Sequence, residues 1–166
     1  GFHGILASNV RSKFKNVLVV HESSLPEGRG WSPLTWQIVQ GRNELDICLF
    51  EAADEVDSGK IYKTDSLIFE GHELVDELRR AQAVKTIDLC IWFVRSYPHC
   101  LDVVQPQIGE SSYYRRRTPQ DSMIDPNKTI AEQFNLLRVV DNQRYPAFFE
   151  YLGHTYELCI KKKERL

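Results

Sequence analysis

Short apolar runs alternate with polar breaks that carry glycine or proline along this chain. Val17 to Val20 is a continuous apolar run, as in a buried strand of a parallel or mixed sheet. A polar loop from Glu22 to Ser32 follows. Pro33, with Ser32 before it as a cap, opens a helix that carries Leu34, Trp36, Ile38 and Val39 and ends at Gly41. Asp46 to Glu51 reads as a second buried strand. Ala52 to Lys60 is a polar loop with a tight turn at Asp57-Ser58-Gly59, and Ile61 to Phe69 alternates as a half-exposed strand does. From Glu73 to Val94, apolar residues recur at helical spacing: Leu74, Leu78, Ala81, Val84, Ile87 and Ile91. Tyr97-Pro98 ends that helix. Leu101 to Gln120 is irregular. A further helix is expected with Ile130, Phe134, Leu137 and Val140 on one face. Ala147 to Tyr151 and Thr155 to Ile160 then read as a hairpin around Gly153-His154. The class is α/β: a mixed sheet flanked by helices, with a β-hairpin at the C-terminal end.

Composition adds limits. The 166 residues are 42% hydrophobic and 27% charged, with a formal net charge of −2. That is enough chain for one domain with a core. The slightly acidic balance gives no electrostatic case for nucleic acid or an anionic membrane as partner. No apolar stretch has the length of a membrane span, and no secretory leader is visible, so a cytoplasmic protein is expected. The four cysteines form no C-x-x-C pair, so neither a metal site nor a disulfide framework is expected. Cys48, Cys90 and Cys159 lie in apolar runs and read as buried small hydrophobes.

The chemistry concentrates between His21 and Tyr62. A histidine leaving the end of a buried strand into a glycine-rich loop has the position of an active-site residue at a sheet edge. The loop ending in Asp57-Ser58-Gly59 leaves the next element, and two such loops can bring a carboxylate to an imidazole. A carboxylate stabilises an imidazolium, and such a pair can move a proton in acyl transfer. The same residues also fit a histidine capping a strand and an aspartate shaping its own turn.

His21, Ser23, Leu25, Pro26, Arg29, Gly30, Pro33 and Trp36 spell H-x-S-x-L-P-x-x-R-G-x-x-P-x-x-W, and Asp57, Gly59 and Ile61 spell D-x-G-x-I. This pattern, with His and Asp thirty-six residues apart, resembles the central signature of the folate-dependent formyltransferase family. The resemblance implies a partial Rossmann-like formyltransferase fold. It also implies transfer of a formyl group from 10-formyltetrahydrofolate to an amine, without a metal. His21 would move the proton near the tetrahedral centre, with Asp57 supporting it. The family's asparagine two residues before the histidine is Val19 here, which cannot donate a hydrogen bond. Asn9 is the nearest candidate to replace it, although an asparagine there is also a normal helix cap; Asn16 lies at the wrong end of the strand. By the same resemblance, folate contacts fall on Ala7, Ser8, Trp31 and the loop Ala53, Asp54, Glu55 and Val56.

Arg115-Arg116-Arg117-Thr118-Pro119-Gln120-Asp121 resembles the R-x-T-P-x-D segment of amino-sugar formyltransferases. It implies a nucleotide-linked amino sugar as acceptor, held by Arg115, Arg117, Thr118 and Asp121, in polysaccharide biosynthesis. An exposed basic loop is an equally weighted reading of the arginine run, and Asp121 would then orient the loop. Methionyl-tRNA formyltransferase shares the central signature and is set aside for want of a basic surplus. Formyl-folate hydrolysis and a degenerate, non-catalytic binding domain are the alternatives. Residues 1–110 are read as the C-terminal part of the catalytic domain and 111–166 as its extension, packed together. A β-α-β unit takes about thirty residues, so fewer strands than the family's are expected before His21. The sheet edge left open would be covered by a second copy in a homodimer, or the sheet would be small.

Overall fold

The computed structural model describes residues 6–163. Strand β1 (Leu18–His21), strand β3 (Glu44–Glu51) and strand β4 (Ile61–Ile68) form an antiparallel sheet with β3 in the centre. Strand β2 (Arg29–Gly30) pairs in parallel with β5 (Tyr113–Tyr114). Helix α1 (Ser8–Arg11) precedes the sheet, and α2 (Pro33–Val39) and the long α3 (Val75–Ser96) flank it. A short α4 (Phe134–Leu137) leads to the hairpin of β6 (Ala147–Tyr151) and β7 (His154–Leu158). The fold is the α/β arrangement expected, with sheets flanked by helices. Among the described residues, parallel pairing is limited to the short β2–β5 ladder and the isolated Met123–Phe148 bridge.

The apolar run of β3 is explained by burial on both faces. Leu45, Ile47 and Leu49 enter the main core with Ile38, Leu78, Leu89 and Phe93. Cys48 and Phe50 point the other way and pack with Leu25, against which Val19 also lies.

Four local expectations are corrected. Ser32 does cap the chain entry to α2, but its side chain makes no capping bond, because the residue is left-handed (φ 50°, ψ 48°) rather than extended. On α3 the predicted stripe faces the core only at its start: Leu78 is buried and Ala81 packs against the core, whereas Val84, Ile87 and Ile91 are exposed and Leu89 and Phe93 are buried instead. The helix is apolar on two sides near its end, and only the sheet selects which side is covered. The helix predicted through Ile130 shrinks to α4, and Ile130 is exposed. Its N-terminal turns are broken by side chains that compete for the backbone: Gln133 Nε2 donates to the Asp125 carbonyl, and Glu132 accepts from the Thr129 amide. Cys159 is exposed and Cys90 half-buried, whereas Cys48 and Cys100 are the buried thiols; Cys159 sits at the open end of a hairpin whose strands are mostly solvent-facing.

The β2–β5 ladder joins the ranges 1–110 and 111–166 across their boundary. Their outermost positions, 1–5 and 164–166, lie outside the described residues.

Candidate active site

His21 ends β1 and is buried. Its Nε2–H donates to the Gly28 carbonyl at 2.8 Å, the bond that curls the loop after β1 back over the ring. A carbonyl can only accept, so this bond fixes the proton on Nε2 and leaves Nδ1 as the basic nitrogen of the neutral ring. Nδ1 stands 3.6 Å from Asp57 Oδ2. The structure thus brings the imidazole and the acid together across two loops.

Asp57 is held from three sides. It adopts φ 51°, a left-handed turn that aspartate tolerates. Its Oδ2 accepts from the Gly30 amide at 2.9 Å. Its carbonyl and that of Gly59 accept from Gln107 Nε2 at 2.7 and 2.9 Å. Gln107 is in turn gripped by the buried Arg29, whose Nη2 donates to Oε1 at 2.6 Å. The arginine of the R-G signature is therefore a clamp on the Asp57 turn. Gly30 itself has φ 96°, and a Cβ there would stand 2.5 Å from the Tyr114 carbonyl oxygen, so the amide that bonds Asp57 needs a glycine.

Beside the pair opens a cavity of about 650 Å³. It begins at Glu22, next to His21, and at Trp31, next to Gly30, and reaches Arg79, Arg117 and Arg144. Thr118 also lines it. Arg115 and Asp121 do not. Their side chains pair with each other, Arg115 Nη1 donating to Asp121 Oδ2 at 2.8 Å, while Asp121 also accepts from the Thr118 amide at 2.7 Å. The Arg115 guanidinium beside it holds the Asp121 carboxyl well below the usual carboxylate range. Asp121 thus shapes the loop, the role weighed for it beside a substrate contact. Trp36 organises the same loop. Its indole N–H donates to the Arg115 carbonyl at 2.9 Å, and the Arg115 and Arg117 guanidiniums lie over its ring at 4.7 and 5.9 Å. The tryptophan of the central signature and the arginine run are one structural unit.

The remaining expected residues are more scattered. Ala7, Ser8 and Asn9 are exposed around α1, and Asn9 makes no side-chain hydrogen bond to His21 or Asp57 among the described residues. Arg11 ties α1 to the loop before Asp57 by pairing with Asp54 and donating to the Ala52 carbonyl at 3.3 Å. Asp54, Glu55 and Val56 face solvent, and Ala53 is half-buried. Asn16 is occupied elsewhere, donating to Glu51 and to the Tyr62 hydroxyl. Tyr62 is pushed up to about 12 by burial and by its bond to Glu51. Among the described residues no group of three His, Cys, Asp or Glu is arranged to hold a metal ion. No helix among them is long and apolar enough to cross a membrane.

Sequence reasoning missed Glu22, Arg79, Gln82, Arg116 and Arg144 as cavity residues. Gln82 carried a usable signal: it follows Leu78 by one helical turn on the face that enters the core, where a polar residue needs a reason. Arg144 carried none, because the loop before β6 is brought to the site only by the fold.

No family model matches the chain. Solved structures do. The methionyl-tRNA formyltransferase of Clostridium thermocellum is 25% identical, with a TM-score of 0.81 over 99% of this chain and 70% of its own. A 4-N formyltransferase from Francisella tularensis is 17% identical, with a TM-score of 0.73 over 98% of this chain and 68% of its own. HypX from Aquifex aeolicus, solved with tetrahydrofolic acid, is 18% identical, with a TM-score of 0.71; the match covers 93% of this chain but 27% of HypX. The chain has the formyltransferase-family fold.

Proposed function

We propose that this protein transfers a formyl group from 10-formyltetrahydrofolate to the amine of a nucleotide-linked amino sugar. The observation that carries the reading is the His21–Asp57 pair, 3.6 Å apart, with His21 preceding the cavity-lining Glu22 in the chain. In this reading His21 Nδ1 takes the proton released as the amine attacks the formyl carbon, and Asp57 stabilises the imidazolium so formed. The donor lies against Trp31 and the loop of residues 53–56, of which Asp54, Glu55 and Val56 are exposed. Ala7 and Ser8 border that side, and Asn9 stands in for the missing asparagine at Val19. The acceptor enters the cavity, where Arg117 and Thr118 meet its phosphates; Arg115 acts by supporting them. The protein works in the cytoplasm as a homodimer, an arrangement favoured by the outer edge of β1, which pairs with no strand among the described residues.

The test is a formyl-transfer assay with UDP- and dTDP-linked 4-amino sugars, comparing the protein with His21→Ala and Asp57→Asn. Removing either partner of the proton relay is expected to lower kcat by about 100-fold or more. Transfer unaffected by His21→Ala sinks the assignment. A second reading, formylation of methionyl-tRNA, is favoured by the greater similarity to the Clostridium enzyme and is tested by including that acceptor in the panel.

A further inference from the structure

Glu22 is a buried carboxylate of the signature loop, and the His21–Asp57 pair does not explain its burial. Its side chain lines the cavity, the residue is 8% exposed, and its carboxylate forms no ion pair among the described residues. Gln82 Nε2 donates to Oε1 at 2.6 Å, and Gln37 Nε2 donates to the Glu22 carbonyl at 2.6 Å. The first bond fixes the side chain and the second the backbone, and neither supplies charge. The Glu22 backbone amide adds a bond to the carboxylate, which still has no cation paired with it among the described residues. A carboxylate taken out of water costs several kcal/mol unless it gains a partner. The cavity holds cations that do not serve it: Arg79 Nη1 is committed to Asp141 at 2.8 Å and Arg117 Nη2 to the Asp121 carbonyl at 2.9 Å.

We infer that Glu22 is a second catalytic carboxylate, which receives the acceptor's ammonium group in the cavity and takes one proton from it. This deepens the proposed function and rests on it. An amine arrives largely protonated at neutral pH and cannot attack until a proton leaves. One ammonium N–H bond breaks, its electron pair stays on nitrogen, and an O–H bond forms on Glu22. The neutral amine attacks the formyl carbon and a C–N bond forms. The bond from that carbon to the donor's nitrogen breaks, and a second proton passes from the attacking nitrogen through His21 to the departing one. Glu22 then returns its proton to water.

The surroundings suit that task. Burial pushes the Glu22 carboxyl up, the Gln82 bond and His21 oppose the rise, and Asp57 adds to it. The charged groups around it are His21 on β1, Asp57 before β4, Arg79 on α3, Arg116 and Arg117 after β5, and Asp141 and Arg144 before β6.

The experiment compares the full chain with Glu22→Gln and Glu22→Asp, using UDP- and dTDP-linked 4-amino-4-deoxyhexoses and their 4-hydroxy counterparts. Glu22→Gln is expected to lower kcat/KM for the acceptor by about 100-fold at neutral pH, with the donor's KM unchanged. The gap closes as pH rises toward about 9.5, where more acceptor arrives neutral. By titration the protein prefers the amino over the hydroxy sugar, and Glu22→Gln abolishes that preference. Should Glu22→Gln fail to fold, by circular dichroism, Glu22→Asp provides the same comparison with the carboxylate withdrawn. Unchanged acceptor kinetics in the variants, or a loss that alkaline pH does not relieve, overturns the role of Glu22 while leaving the formyl transfer standing. No transfer and no amino-sugar binding by the unaltered protein overturns the proposed function itself.

Discussion

Gly59 has no room for a side chain: a Cβ would sit 1.6 Å from the Glu51 carbonyl oxygen. Its backbone conformation is one that other residues adopt, so the requirement is steric, set by the close pass of the loop over the end of β3. The glycine of D-x-G therefore sets the height at which Asp57 turns toward Gly30. Gly59→Ala is expected to cost about 1–3 kcal/mol of stability by overpacking, read from the midpoint of chemical denaturation. The displaced turn also lengthens the Asp57–Gly30 bond, so activity falls more than stability alone requires.

At the scale of elements, α3 shows how little periodicity says about which face is used. Leu89 is 1% exposed and Ile91 is 42% exposed, two positions apart on one helix. Leu89→Ala is expected to cost about 2–5 kcal/mol. Ile91→Ala should stay within about 0.5 kcal/mol, in the same denaturation assay. Equal costs at the two positions would mean that the helix sits on the sheet in another rotation. Beyond α3, α4 is tied to the rest by polar bonds as well as by the packing of Leu136 and Leu137. Arg138, fully buried, donates to Glu73 at 2.8 Å and to the Asn43 side-chain oxygen at 2.7 Å. These bonds join the start of α3, the turn before β3 and the end of α4 at one point.

For the molecule as a whole, carboxylates brace the walls of the cavity. Asp121 is held low by the Arg115 guanidinium, and Asp141 by Arg79. Glu73 is subject to desolvation that raises it, but the amides it accepts from, among them those of Glu70 and Gly71, outweigh this and lower it. All three are depressed below their unfolded values. Their contribution to stability is therefore complete above an unfolded pKa of about 4 and is lost as pH falls through the folded values. Near-ultraviolet circular dichroism, reporting on Trp31 at the cavity and on Trp36 against the arginine run, is expected to hold steady from about pH 7 to 5 and to collapse below about 4. Loss of the signal between pH 7 and 5 would place the weak point elsewhere.

The sequence by itself determined the three strands of the main sheet, the hairpin and the two signature loops, though not the β2–β5 ladder, because apolar runs, glycines and prolines act through local sterics and solvent transfer. It marked His21 and Asp57, since a motif records residue types at fixed spacing. Only the tertiary structure decided that Nε2 of His21 is bound to Gly28, that Asp121 is consumed by Arg115, and that Glu22 lies buried in a cavity whose arginines make no ion pair with it among the described residues. Those facts depend on which distant segments pack together, and packing depends on shape and on the competition among all possible partners, which no local window of the chain contains.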